Sequence, residues 1–242
     1  MNVAFVTSAA PKKGPFYTAE KRPPLGLGSL MSLARKAGHK VYLIDNYLTL
    51  TPFIEQGFLQ ANTIDVVCIY ASTICWQHSL TMLHALQNLQ SQGKWNGRIA
   101  VGGPHVAVMP ETVPPFVDYA VQGEGENIIL PIIEGTAPPG LNRAKRVLDL
   151  DALPFQPWDI FTTLPYDYSC AWLKAQPVFT LNTSRGCPYR CTFCSVNGVW
   201  GSRFTCFSAE RIADEIEFLI KNYHAKGIYF REDLSSPRFL DR

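Results

Sequence analysis

The sequence predicts an α/β protein whose first part is a doubly wound, five-stranded parallel sheet, followed by the start of a second α/β region. Two observations carry this expectation. Apolar runs at residues 2–7, 40–45, 65–70, 98–102 and 118–122 are continuous rather than alternating, as strands buried on both faces must be. Helical spacing fills the gaps. Leu27, Leu30, Met31 and Ala34 keep one helical face before Gly38, and Met82, Leu86 and Leu89 do the same after the third run. Strands that alternate with helices form a parallel sheet, and such sheets take ligands at the carboxyl ends of their strands.

The 242 residues divide into three stretches: 1–134, 135–176 and 177–242. Residues 135–176 combine Pro138, Pro139, Pro154, Pro157 and Pro165 with Trp158, Tyr166, Tyr168 and Trp172, which breaks helices and starves strand ladders of donors. So many aromatics imply a connector packed over both domains rather than a free tether. A strand at 178–182 follows, then a Gly/Cys loop at 184–201. The next helix is capped by Ser208, with Ile212, Ile216, Leu219, Ile220 and Tyr223 on its apolar face. A last strand at 227–230 runs into Glu232 and Asp233.

Composition removes several classes of function. At 47% apolar and 17% charged residues the chain is not disordered, and 22 basic against 20 acidic residues leave no footprint for nucleic acid or a membrane surface. No apolar run approaches the roughly 18 residues that a membrane span needs. The first residues lack the basic-then-apolar order of a signal peptide, so a cytoplasmic address is expected.

Seven cysteines, with Cys187, Cys191 and Cys194 packed into eight positions, argue for metal binding rather than a disulfide framework. A glycine-led loop can curl three thiolates onto one centre, and thiolates suit zinc or iron–sulfur clusters. A zinc site would recruit Cys206 as its fourth ligand, whereas three ligands leave one iron of a [4Fe–4S] cluster open to a substrate or cofactor. Cys68, Cys75 and Cys170 have no metal spacing and are expected as buried thiols.

Cys-x3-Cys-x2-Cys with Phe193 just before the third Cys, following a strand and Arg185-Gly186, resembles the radical S-adenosylmethionine (SAM) enzymes. The resemblance implies that Cys187, Cys191 and Cys194 hold a [4Fe–4S] cluster. The open iron would then bind SAM beside Phe193, and one electron would cleave the sulfonium to a 5′-deoxyadenosyl radical. Residues 228–234 resemble the second strand of that family's barrel, placing Glu232 or Asp233 against the amino group or ribose of SAM.

Residues 23–28, 38–45, 101–105 and 123–126 resemble the flavodoxin-like cobalamin-binding domain fused ahead of one radical SAM subclass. Ser72-Thr-Ile74 is followed by twenty-seven residues and then Gly102-Gly103, matching that fold's Ser-x-Leu and Gly-Gly separation. The resemblance implies that Ser72, Thr73, Gly102, Gly103, Gly123 and Glu124 line a cobalamin face. The Asp-x-His-x-x-Gly motif that gives cobalt an axial histidine in the methionine synthase type is missing, since residues 8–22 contain no His. His105 is the nearest alternative by position; its competing role is a loop histidine bonded to backbone.

Three functions follow. The first is a radical SAM enzyme with cobalamin, acting on a small molecule or peptide by methyl transfer, rearrangement or cyclisation, with flavodoxin or ferredoxin as electron donor. The second is a truncated relative that binds corrinoid or cluster without turnover, and the third a zinc-stabilised binding module. No catalytic residue is assigned. The resemblance implies a full βα barrel, whereas residues 177–242 carry little more than one βα unit and 235–242 read as an interrupted one. The chain alone is therefore expected to give at most slow, uncoupled SAM cleavage, because an open sheet edge cannot exclude water from a carbon radical. Reductant-driven turnover, followed as 5′-deoxyadenosine by chromatography, checks this; robust multiple turnover without a partner is the contrary result.

Overall fold

The computed structural model describes residues 1–9, 21–49 and 56–235. Most of the loop after the first strand, residues 10–20, and the end at 236–242 lie outside the described residues, so the reading of the terminus as an interrupted barrel falls there too. The chain forms two compact units, Met1–Val147 and Leu148–Arg242.

The first unit runs β1 (Asn2–Thr7), α1 (Leu25–Lys36), β2 (Lys40–Asp45), α2 (Asn46–Thr49), α3 (Gln56–Ala61), β3 (Val66–Tyr70), α4 (Trp76–Ser91), β4 (Arg98–Gly102), α5 (Pro104–Val108), β5 (Tyr119–Gln122), α6 (Ile129–Glu134) and β6 (Gly140–Arg143). All sheet pairings are parallel, in the order β2-β1-β3-β4-β5-β6. The order reverses at β1, which pairs with β2 on one side and β3 on the other. In sheets of this kind that crevice at the strands' carboxyl ends is where ligands bind. Val3, Phe5 and Val6 of β1 and Val66, Val67 and Ile69 of β3 are buried. Met82, Leu83 and Leu86 of α4 join the same core.

Among the described residues the sheet holds six strands rather than the expected five. The sixth, β6, lies in residues assigned to the connector. Its sequence, Gly140-Leu-Asn-Arg143, has no apolar run, and Leu141 is exposed. Backbone pairing from Tyr119↔Gly140 to Gln122↔Arg143 places it at the sheet edge, where only one neighbour is needed and burial writes no pattern.

The second unit contains α7 (Trp158–Phe161), β7 (Val178–Leu181), β8 (Ser184–Arg185), α8 (Val196–Trp200), β9 (Thr205–Cys206), α9 (Ala209–Tyr223) and β10 (Gly227–Phe230). β7 pairs parallel with β10, the expected strand–helix–strand unit, and β8 pairs antiparallel with β9. Ser208 caps α9 by accepting from the Arg211 amide at 3.1 Å. Trp158, Phe161 and Tyr166 of the connector are buried within this unit. The buried face of α9 differs from the expected one. Ile212 and Leu219 are buried, but Ile220 is 51% exposed, and Glu215 lies inside instead. The Glu215 carboxylate is satisfied there. Its Oε1 accepts from Trp158 Nε1 at 2.9 Å and from the Gln156 amide at 3.1 Å, and Arg211 Nη1 reaches Oε2 at 2.9 Å. The Arg211 guanidinium also lies 4.1 Å from the Phe155 ring centre.

Among the described residues no helix is long and apolar enough to cross a membrane. Glu215→Ala is expected to cost at least about 1–3 kcal/mol, because it leaves the buried Trp158 N–H and the half-buried Gln156 amide without their acceptor, while Arg211 keeps Leu153 O and the Phe155 ring. Urea unfolding followed by tryptophan fluorescence measures this, with Glu215→Gln losing less.

Candidate functional site

The carboxyl edge of the first sheet is built where the chain leaves β3 and β4. After β3, Ala71 and Ser72 lead into a 3-10 turn at Thr73–Cys75 and then α4; after β4, Gly103 leads straight into α5. The two exits touch. Ala71 N donates to Gly102 O at 2.8 Å, and His105 N donates back to Ala71 O at 3.1 Å. Gly103 has φ +105°, and a Cβ there would lie 2.7 Å from Ala71 O and 3.1 Å from Tyr70 Cδ2. Gly103 is thus required by the protein's own backbone before any ligand is considered. Gly102 differs, since a Cβ there meets Val121 Cβ at an ordinary 3.4 Å.

His105 locks these two exits together. It is 2% exposed and stacks on Trp76, with ring centres 4.1 Å apart and planes at 24°. Its Nε2 lies 2.9 Å from Thr112 Oγ1 and its Nδ1 lies 3.2 Å from Thr73 Oγ1. The Thr112 hydroxyl donates to Met109 O at 2.7 Å. That bond assigns the tautomer: Nε2–H donates to Thr112, and Nδ1 accepts from Thr73. Both nitrogens are therefore used by threonine hydroxyls, not by backbone and not free to face a metal. Burial lowers the His105 pKa, partly offset by the charge of Glu111.

Gly123 and Glu124 follow β5. Glu124 is buried: Oε2 accepts from the Val147 amide at 3.1 Å, and Oε1 lies 3.4 Å from Arg146 Nη1. This carboxylate ties the β5 exit to the chain that leaves β6. The other expected residues stand nearer solvent. Thr73 is exposed and Ser72 half-buried, and the same turns expose Ile74, Val108 and Met109. Hydroxyls, a rim of apolar side chains and a side-chain-free Gly102 suit a broad, partly apolar ring with polar edges, so these residues fit cobalamin.

Sequence reasoning missed the polar groups that close β1 and β2. Ser8 Oγ lies 2.5 Å from Ser79 Oγ and donates to Tyr70 O at 3.1 Å. Thr7 Oγ1 donates to Asp45 Oδ1 at 2.5 Å, and Asn46 Nδ2 donates to Thr7 O at 3.1 Å. The available signal was the polar pair that ends each apolar run, Thr7-Ser8 and Asp45-Asn46, at the edge where ligands bind.

In the second unit, Cys187, Cys191 and Cys194 occupy the loop between β8 and α8. Cys187 and Cys194 are half-buried and Cys191 is exposed. Cys194 N donates to Cys191 O at 3.1 Å, and the loop is braced by Asn197 Nδ2 to Tyr189 O at 2.7 Å and Arg190 Nε to Ser202 Oγ at 3.0 Å. Among the described residues no three His, Cys, Asp or Glu side chains converge as a ligand sphere. The donor set fits a thiolate-held centre: three thiols share one short loop that reaches solvent. Phe193 beside them is 91% exposed. Cys206 sits in β9, in register with Ser184. Glu232 and Asp233 bond to the loop's entrance. Glu232 Oε1 accepts from the Thr183 amide at 3.0 Å and from the Thr183 hydroxyl, Oε2 lies 3.2 Å from Ser184 Oγ, and Asp233 Oδ2 accepts from Gly186 N at 3.3 Å. Cys68, Cys75 and Cys170 are buried, and burial pushes the Cys68 thiol up to about 12.

Known proteins resemble this chain in sequence and in fold. Residues 18–132 match the family model of the B12 binding domain. The chain is 30% identical to an uncharacterised methyltransferase of Pyrococcus horikoshii, over 90% of this chain and 51% of that protein. It is 28% identical to the cobalamin-dependent radical SAM methyltransferase TokK of Streptomyces tokunonensis, over 52% of this chain and 22% of that one. Its fold is similar to that of the cobalamin-dependent SAM radical enzyme OxsB, with a TM-score of 0.77 at 20% identity, covering 99% of this chain and 35% of the other. For the radical SAM methyltransferase TsrM of Kitasatospora setae the TM-score is 0.63 at 15% identity, covering 96% and 47%. The chain spans about half, or less, of the length of the curated relatives it matches.

Two outcomes follow from this geometry. Gly103→Val is expected to lower stability without any ligand present, by at least about 1–3 kcal/mol, since φ is held where side chains are strained; thermal unfolding of the bare chain reads this. A lowered His105 pKa stabilises the fold above the unfolded value of about 6.5 and is lost as pH falls below it. Acidification from about pH 7 to about pH 5 should therefore destabilise the wild type more than His105→Gln, as read from denaturation midpoints.

Proposed function

We propose that this chain, which belongs to the B12-binding radical SAM superfamily, binds cobalamin on its first unit and a [4Fe–4S] cluster with SAM on its second. In this reading it serves an enzyme that cleaves SAM reductively to a 5′-deoxyadenosyl radical and transfers a methyl group. The observation that carries the reading is the pairing, in one chain, of a B12-type sheet with an exposed loop of three thiols that has no fourth thiol in the loop itself. Methyl transfer is favoured because relatives covering most of the chain are named methyltransferases. Cyclisation is the second reading, since an anaerobic magnesium-protoporphyrin IX monomethyl ester cyclase of Cereibacter sphaeroides is 22% identical over 87% of the chain.

When bound, the cluster supplies the electron that opens the sulfonium bond of SAM, and cobalamin supplies a cobalt that carries methyl. The protein's own residues do the rest. Cys187, Cys191 and Cys194 would hold the iron, leaving one position for the amino and carboxylate groups of SAM. Phe193 offers an aromatic face beside them, and Asp233 an exposed carboxylate. Ser72 and Thr73 would bond the polar edge of the corrin or its tail, while Ile74, Val108 and Met109 shield its apolar edge. His105 holds the platform and supplies no ligand to cobalt, so cobalt would lack a protein imidazole from these loops. A small molecule or peptide as substrate, a flavodoxin or ferredoxin as electron donor, and a reducing cytoplasm that keeps the thiols free complete the proposal.

Anaerobic reconstitution should give about four iron and four sulfide per chain. Any single Cys→Ala among Cys187, Cys191 and Cys194 should abolish the cluster, and Cys206→Ala should leave it intact. Tight stoichiometric zinc in place of iron overturns the cluster assignment. Hydroxocobalamin should change its visible spectrum on binding. Met109→Asp should weaken that binding about tenfold or more, since burying one such side chain is worth about 1.5–3 kcal/mol.

A further inference from the structure

The chain leaves β7 through Asn182, Thr183 and Ser184 and reaches Cys187 three residues later. Thr183 is 1% exposed, and its backbone groups have lost the β7 ladder. Its carbonyl is taken by the Phe207 amide at 2.9 Å. Its amide is taken by Glu232 Oε1 at 3.0 Å, and its hydroxyl points to the same oxygen. Ser184, also buried, sets its hydroxyl 3.2 Å from Glu232 Oε2 and 3.2 Å from Leu234 O. One carboxylate at the end of β10 thus gathers three donors from the two residues that open the cysteine loop. Such charge-assisted bonds are the strong ones, and a buried amide without an acceptor is costly.

We infer that Glu232 is a positioning residue, whose carboxylate clamps the entrance of the cysteine loop and so sets where the three thiols stand, rather than a group that binds SAM. The inference rests on the cysteine loop being the cluster site proposed above. Both Glu232 oxygens already face protein donors, whereas Asp233 beside it is exposed and holds one long bond, to Gly186 N. The clamp has a chemical signature, because it uses Glu232 as an acceptor and not as an ion-pair partner. A glutamine keeps it. Its oxygen still accepts from Thr183, and its amide N–H donates to Ser184 Oγ, whose own proton turns to Leu234 O. A group that paired with the ammonium of SAM would have no such substitute.

The test compares the full chain with Glu232→Gln, Glu232→Ala and Thr183→Val. Hydrogen exchange of residues 183–186 is measured before any iron is added. Iron retention against a chelator is measured after anaerobic reconstitution. The electron paramagnetic resonance of the reduced cluster is then recorded with and without SAM. Glu232→Ala should exchange faster at 183–186 and hold the cluster about 10–100-fold less tightly, the range found when partners of metal ligands are removed. Glu232→Gln should match the wild type in exchange, cluster retention and the SAM-induced spectral change, and Thr183→Val should fall between. A Glu232→Gln chain that keeps its cluster but loses the SAM-induced change overturns the inference in favour of a SAM contact. So does a Glu232→Ala chain with unchanged exchange and retention. A wild-type chain that takes up no iron overturns the function proposed above, and the exchange comparison separates the two. Faster exchange in Glu232→Ala then upholds the clamp on its own, and unchanged exchange overturns it.

Discussion

Ala71 and Gly103 stand just past the ends of the neighbouring strands β3 and β4, and their backbones approach so closely that no side chain fits between them. Much of the ligand edge depends on this approach. It forces a glycine at 103, fixes the turn into α5, and lets the His105 amide bond back to Ala71. The imidazole then falls between Thr73 and Thr112 and over Trp76. The turns after β3 and β4 become one piece, and Ile74, Val108 and Met109 have nowhere to turn but outward. A platform for a flat ligand is what remains when two backbones and one histidine have used up the interior.

The strands β1, β3, β4 and β5 were legible because burial writes an uninterrupted apolar run, and the half-buried edge strand β2 kept one from Val41 to Ile44. The edge strand β6 was not, since backbone bonds alone hold it and Leu141 faces solvent. Periodicity placed Ile212 and Leu219 correctly on the buried face of α9 but could not exclude Ile220 or admit Glu215. The partners that make Glu215 tolerable, Trp158 and Gln156, lie 57 and 59 positions away. At the candidate site the cysteine triplet was visible because its chemistry is written in spacing along one loop. Gly102 and Gly103 were visible as a pair, but the reasons differ, and only the neighbouring strand shows that Gly103 serves the backbone. The bond between Ser8 and Ser79 spans 71 positions, beyond the reach of any local pattern.

The second unit is organised differently from the first. Among the described residues its parallel sheet has two strands, and such a pair is marginal in water without further support. Two carboxylates supply part of it. Glu215 collects the connector's indole and backbone N–H together with Arg211, and Glu232 collects the donors that open the cysteine loop. Glu215 acts from α9, and Glu232 from the chain just past β10, each on a stretch with little regular structure of its own. These bonds work beside an apolar cluster in which Trp158 packs edge-on against Phe161 and Phe179, and Phe161 against Tyr166.

The chain also sorts its sulfur. Cys68, Cys75 and Cys170 are sealed inside, with the Cys68 thiol held far from ionisation, while Cys187, Cys191 and Cys194 reach solvent on one loop. Oxidants attack accessible thiolates first. Air would therefore consume the loop while leaving the six-stranded sheet untouched. A chain handled in oxygen would keep its buried sheet while losing the three thiols proposed above to hold iron. An intact fold is therefore no assay for the state of those thiols.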